Sequence, residues 1–159
     1  MEVGQKMDIY AYQKPLGKIE DAPDLKKAFI KVYEEKTHQE VVRFCQVYAA
    51  HLSELTAFAF TKEMKQAFIS MDDWLAGESS YHATRNLSFE ISRLAKKEDD
   101  VVKVRFYRTM AQLVASPHVK YHGLWAADFA ITLINKKYPG DVDAVRKERL
   151  KQIELLKMT

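Results

Sequence analysis

The stretch Gly123-Leu124-Trp125-Ala126-Ala127-Asp128-Phe129-Ala130-Ile131-Thr132-Leu133-Ile134 decides the fold. It is apolar on every side apart from Asp128 and Thr132, and a helix without a polar face must be enclosed by other elements. The run is also too short for the roughly 20 apolar residues that a membrane span requires. It therefore reads as the central helix of a bundle. Ser116-Pro117 has the form of a helix start, with Ser116 as N-cap and Pro117 in the first turn. Tyr138-Pro139-Gly140 ends the element, so the spacing predicts a helix from Ser116 to about Lys137.

Amphipathic patterns surround this centre. After Pro23, the residues Leu25, Ala28, Phe29 and Val32 share one face. Thr37-His38-Gln39-Glu40 is a capping box, in which Thr37 and Glu40 satisfy each other's free amides. Behind it, Val41, Phe44, Cys45, Tyr48, Leu52 and Leu55 repeat at three and four. Thr61 can cap a third helix carrying Met64, Phe68, Met71 and Leu75, and Gly77 stands where a helix terminator is expected. Ser79 or Ser80 opens a fourth, with Leu87, Ile91 and Leu94 as its stripe. The acidic run Glu98-Asp99-Asp100 suits the positive end of a fifth helix dipole, whose face is Val102, Phe106, Met110 and Leu113. Asp141 can cap a seventh, with Val145, Leu150, Ile153 and Leu156. The short connections favour antiparallel neighbours. The expectation is an all-α, single-domain bundle of six to seven helices over residues 23–159. Residues 1–22, broken by Gly4, Pro15 and Gly17, read as an extended or loosely ordered N-terminal arm whose only regular run is Asp8 to Tyr12.

Composition narrows the function. The chain has 159 residues, about one domain's worth. Its lone cysteine, Cys45, excludes a disulfide framework and a cysteine-rich zinc site. Lys and Arg number 25 against 22 Asp and Glu, a net charge of +3. That excess lacks the clustering of a nucleic-acid binder. The one basic-aromatic group, Lys103, Arg105 and Arg108 with Phe106 and Tyr107, is diluted by Glu98 to Asp100. Met1 to Tyr12 contains no signal-like apolar run, which points to a soluble cytoplasmic protein with neither nucleic-acid nor membrane partner. Glycine-rich phosphate loops and GxSxG elbows are absent, excluding nucleotide binding or hydrolysis through those devices.

Three places could carry chemistry. His118 and His122 are four apart, so on one helix both would face the same way. This is a zinc-enzyme spacing, but Val119 stands where the protease motif has its glutamate. In the first helical turn the dipole would keep His118 neutral. The plainer alternative is a pair of structural histidines where the helix enters the core. Asp128 is the only ionised group of the central run and needs a cation, because an unpaired buried carboxylate costs several kcal/mol. Arg85, Arg93, Arg105 and Arg108 on the fourth and fifth helices are the available donors, with Arg93 and Arg105 preferred. Cys45 lies on an apolar stripe, and core packing explains it.

Three blocks add a resemblance. Phe44-Cys45-Gln46 with Ala49-Ala50 comes first, then Trp74-Leu75-Ala76-Gly77-Glu78. The third is Ala111 to Val119, followed by His122-Gly123-Leu124. Together, over about Val41 to Ile134, they resemble the all-α immunity-protein family found beside polymorphic toxins in bacteria, the class numbered five. One departure is Phe89, where relatives often carry a histidine one turn before the arginine matching Arg93. The resemblance implies a small cytoplasmic protein, not an enzyme, that neutralises a cognate protein toxin by binding it and needs no cofactor or metal. It makes His118, His122 and Trp74 the motif candidates for partner binding. The rival expectation is a helical-bundle metalloprotein or small-molecule enzyme built on His118 and His122. Nothing in the sequence sets the oligomeric state.

Overall fold

Four of the helices begin at a side-chain cap in the structure, a computed structural model, which describes residues 19–159. The elements among them are α1 (Pro23–Glu34), α2 (His38–Thr56), α3 (Lys62–Leu75), α4 (His82–Lys97), α5 (Val101–Val114), α6 (His122–Lys137) and α7 (Val142–Lys157). No strand occurs in this part, and the chain is an all-α bundle. The expected run Asp8 to Tyr12, and most of the expected arm, lie outside the described residues.

Thr37 and Glu40 close the capping box of α2, Thr37 Oγ1 accepting from Glu40 N at 3.1 Å and Glu40 Oε1 from Thr37 N at 2.8 Å. Thr61, Asp100 and Asp141 cap α3, α5 and α7 through their side-chain oxygens. Gly77, just past α3, takes φ +74°, a left-handed conformation that glycine adopts without steric cost.

The helix α6 is the enclosed element. Gly123, Leu124, Ala126, Ala127 and Ala130 to Ile134 are buried, and it packs on α2, α5 and α7. The helix α5 joins α6 to α3 and α4, while α1 lies against α7 on the opposite side. Phe29, Phe44, Leu52, Met110 and Ile131 contribute fully buried side chains to one core cluster.

Three expectations are corrected. The central helix begins at His122, not at Ser116. After α5 the amide of Ser116 bonds Leu113 O and that of His118 bonds Ala115 O, so residues 115–121 form successive tight turns. Tyr121, the actual N-cap, makes no capping side-chain bond. Tertiary contact replaces the cap, because Gly123 presses against α1 and α2. A Cβ there would stand 2.6 Å from Tyr33 Oη and 3.0 Å from both Cys45 Sγ and Val41 Cγ1. The fourth helix also starts late, at His82. Ser80 stands outside it but accepts from the His82 amide at 3.4 Å.

The third correction concerns α7. Its buried face is Val145, Glu148, Arg149, Gln152, Leu155 and Leu156, while Leu150, expected inside, is 54% exposed. Three polar side chains occupy interior positions, and this rotation relative to the expected stripe has consequences for Asp128.

Candidate functional site

Asp128 is 1% exposed, and its partners are on α7 and α1, not on α4 or α5. Arg149, fully buried, donates from Nη2 to Asp128 Oδ1 at 2.8 Å. The same guanidinium forks onto Asp21, Nε to Oδ1 at 2.9 Å and Nη2 to Oδ2 at 2.7 Å, and reaches Gln152 Oε1 at 3.0 Å. Lys26 Nζ stands 3.6 Å from Asp128 Oδ2. Arg93 is exposed on α4 and Arg105 is part-exposed on α5; neither pairs with Asp128. The physical reason is the direction of Asp128, which faces the seam where α1 and α7 meet. Burial opposes ionisation of Asp21, but Arg149's hydrogen bonds and charge outweigh it and hold the carboxyl below its usual range.

The polar seam continues. Gln152 Nε2 donates to Ala127 O at 3.0 Å and to Tyr48 Oη at 2.8 Å. Tyr48 in turn donates to Glu148 Oε2 at 2.5 Å, and His51 Nε2 meets both Glu148 oxygens at 3.0 and 3.1 Å. Burial, followed by the neighbouring Glu148 charge, pushes the Tyr48 phenol well up, so it stays a donor. His51 and Glu148 border an open groove of about 790 Å³ with Leu55, Ile134 and Tyr138. Asp128 Oδ2 makes no hydrogen bond and has the Lys26 ammonium as its counter-charge, whereas Arg149, Gln152, Tyr48 and Glu148 are tied together by hydrogen bonds that fix one packing of the core.

The motif residues gather elsewhere, at the end of the bundle formed by the loops 76–81 and 115–121. Trp74, in the last turn of α3, lies against the His38 ring at 4.7 Å between centroids. His38 Nε2 donates to Ser116 O at 2.6 Å. The accepting group is a carbonyl, so this nitrogen carries the proton. Tyr33 Oη donates to Lys120 O, which pins the other end of the same loop. His118 leaves the loop to pack against Tyr81 at 4.5 Å, and Tyr81 stacks on His82 at 4.4 Å and 20°. His122 lies 6.0 Å from His118 and meets Trp125 edge-on at 5.2 Å. Its Nδ1 donates to Gln112 Oε1 at 2.7 Å.

Two histidines of this face are held neutral. Burial and then the His118 neighbour press the His122 pKa down to about 4. Burial, then Arg85 and His82, lower that of His118. Both rings are therefore neutral at pH 7. They stack with aromatic neighbours in a row, and among the described residues no three His, Cys, Asp or Glu side chains group as metal ligands would. What this arrangement offers is a rigid, partly exposed aromatic surface held from below by buried hydrogen bonds, the composition of a protein-contact surface.

The sequence supplied Trp74, His118 and His122, and the structure brings all three to this end of the bundle. It missed His38, Tyr81 and His82. Tyr81-His82 follows directly on the Trp74 block, a signal that went unused. Cys45 is buried beneath the face, where burial pushes its thiol up to about 12 and Ser116 draws it down by less. It is inert as a nucleophile. No helix among the described residues is long and apolar enough to cross a membrane.

A family model described as "Imm-5 like putative immunity protein" matches residues 31–159. The match extends the motif region in both directions and takes in α2 to α7 with the end of α1. No curated protein and no solved structure matches the chain.

Proposed function

The chain belongs to the Imm-5 like immunity family, and from that premise we propose that it binds and neutralises a cognate bacterial protein toxin in the cytoplasm. It does so as a binding protein, without catalysis. The observation that carries this reading is the convergence of separate motif blocks on one face. His82, Tyr81, His118 and His122 form a continuous row of rings, and Trp74 joins the same end of the bundle through His38, whose ring it meets and whose Nε2 donates to Ser116 O. Core packing alone needs no such row, since Tyr81, His118 and His122 remain partly exposed and His82 is exposed.

Partners are recognised best by rigid aromatic anchors that lose little side-chain entropy on binding. His118 has that character, because the loop bearing it is tied down by His38 and Tyr33, and Tyr81 packs against its ring. Neutral imidazoles also desolvate more cheaply than charged ones.

The test uses the toxin domain encoded beside this chain's gene. Calorimetric titration should give one-to-one binding, and the toxin's activity should vanish at equimolar chain. Tyr81→Ala and His118→Ala should each weaken binding about tenfold or more, with the melting midpoint nearly unchanged. A toxin that neither binds the chain nor loses activity in its presence would overturn the proposal.

A further inference from the structure

The ring row does not stop at His82. Arg85, one turn further along α4, is close enough to His118 to lower its pKa, and its guanidinium lies 5.0 Å over the Phe89 ring. Phe89 is 47% exposed, a large aromatic left in solvent at the middle of α4's outer side. Arg93, one turn on, is exposed, as are Lys96 and Lys97. The helix carries these four cations against one acid, Glu90, an excess equal to the whole chain's +3. Among the described residues no ion pair neutralises any of the four. The helix packs chiefly on α3 and α5, and Arg85, Phe89, Arg93 and Lys97 stay exposed on its outer side among the described residues. Away from the row, Asp73 and Glu78 flank Trp74 in the chain and are exposed. The face is therefore negative beside Trp74 and positive along α4.

We infer that the toxin-binding face extends down α4 through Arg85, Phe89 and Arg93, and that it fits an acidic protein surface with an apolar notch for Phe89. This rests on the immunity reading and adds which surface is used and what it meets. Size supports it. A specific interface engages about 20–30 residues a side, more than the ring row alone supplies, whereas α4 adds a strip about 24 Å long at 1.5 Å per residue. Charge excludes other occupants. A second copy would set this basic strip against its like. Residues 1–18, with Lys6, Lys14 and Lys18 against Glu2 and Asp8, carry no acidic excess to cover it. A nucleic acid would find Glu90 and a protruding phenylalanine inside the strip.

The experiment compares four forms of the chain for binding to the neighbouring toxin domain by stopped-flow and surface plasmon resonance. Arg93→Glu with Lys97→Glu should slow association about tenfold or more at low salt and flatten its salt dependence. Phe89→Ala should speed dissociation about tenfold. Lys27→Glu with Lys31→Glu, on the far side of the bundle, should leave both rates within about twofold. Thermal melts confirm that each form is folded. Tight wild-type binding that all the α4 variants retain overturns the α4 face but leaves the immunity reading standing. Absence of wild-type binding overturns both. A short duplex DNA bound by the wild type and released by the Glu variants would assign the strip to nucleic acid instead, and a dimer that those variants dissociate would assign it to self-association.

Discussion

Asp128→Ala should cost about 3–5 kcal/mol, and the magnitude follows from what the substitution strands. In the native protein Arg149 is fully buried, and its charge is shared by Asp21 and Asp128, with Lys26 close by. Removing Asp128 takes away a charge-assisted hydrogen bond of 2.8 Å, of a kind worth about 1.5–3 kcal/mol. It also leaves two cations facing a single carboxylate in the seam between α1, α6 and α7. The second effect brings the total to the range measured when one partner of a buried pair is deleted. In a domain of this size each kcal/mol moves the midpoint about 2–4 °C, so the melt should fall by roughly 6–20 °C. Asp128→Asn keeps an acceptor for Arg149 and should lose about half as much. The assay is thermal and urea denaturation of the wild type, both single variants, Arg149→Met and the double variant Asp128→Ala with Arg149→Met. The double variant should be less destabilised than the two single losses added together, because it leaves no buried guanidinium unpaired. A midpoint for Asp128→Ala within a degree of wild type would refute this reasoning and show that Asp21 alone carries Arg149.

Three further outcomes can be checked on the isolated protein. Gly123→Ala should destabilise by about 1–3 kcal/mol, since its Cβ would meet Tyr33 Oη at 2.6 Å and drive α6 away from α1 and α2; an unchanged urea midpoint would contradict the close approach. Stability should fall as pH drops from about 6.5 to about 4, because the unfolded chain protonates His122 in that window and the folded one does not. The loss attributable to this ring is up to about 3 kcal/mol, is complete below the folded pKa, and should disappear from the pH profile of His122→Gln. Zinc at a hundredfold excess over any candidate dissociation constant would add about 2.7 kcal/mol if a native site existed; the stacked histidine row predicts no shift in the melt beyond a degree, and a metal retained through dialysis and lost on replacing His118 and His122 would contradict it.

Most of the fold was legible because local chemistry and long-range packing agree. Thr37, Thr61, Asp100 and Asp141 cap where their side chains say they should, and the circumference of Gly123 to Ile134 announces a helix buried on all sides. Legibility failed where tertiary contact overrode a local signal. Ser116-Pro117 is a good helix start in isolation, but the loop it begins is held by His38 and Tyr33 from other helices. On α7 hydrophobicity pointed to Leu150, whereas the interior takes Glu148, Arg149 and Gln152. Those residues keep the spacing of Val145, Leu155 and Leu156, so the interior face can be seen in the sequence once polar side chains are admitted to it. Hydropathy cannot make that admission, because a buried arginine is tolerable only with its carboxylates in place. Asp128 pairs with Arg149, and that choice of cation depends on how α7 is rotated, which no pattern in α6 encodes. The candidate site shows the same division. Trp74, His118 and His122 were marked by their motifs, while His38, Tyr81 and His82 joined them only through loop geometry.

The central claim is that the end of the bundle bearing Trp74, Tyr81 and His118 is the surface that meets the toxin. Hydrogen exchange of the chain, free and saturated with the toxin domain encoded beside it, tests this directly. The loops 76–81 and 115–121 lie outside the helices and should exchange faster than the helix interiors in the free protein. In the complex, their exchange should slow about tenfold or more, together with that of the first turns of α4. Unchanged exchange in both loops, with new protection over residues 141–154 beside the groove of His51 and Glu148, would contradict the account and move the interface to the opposite side of the protein.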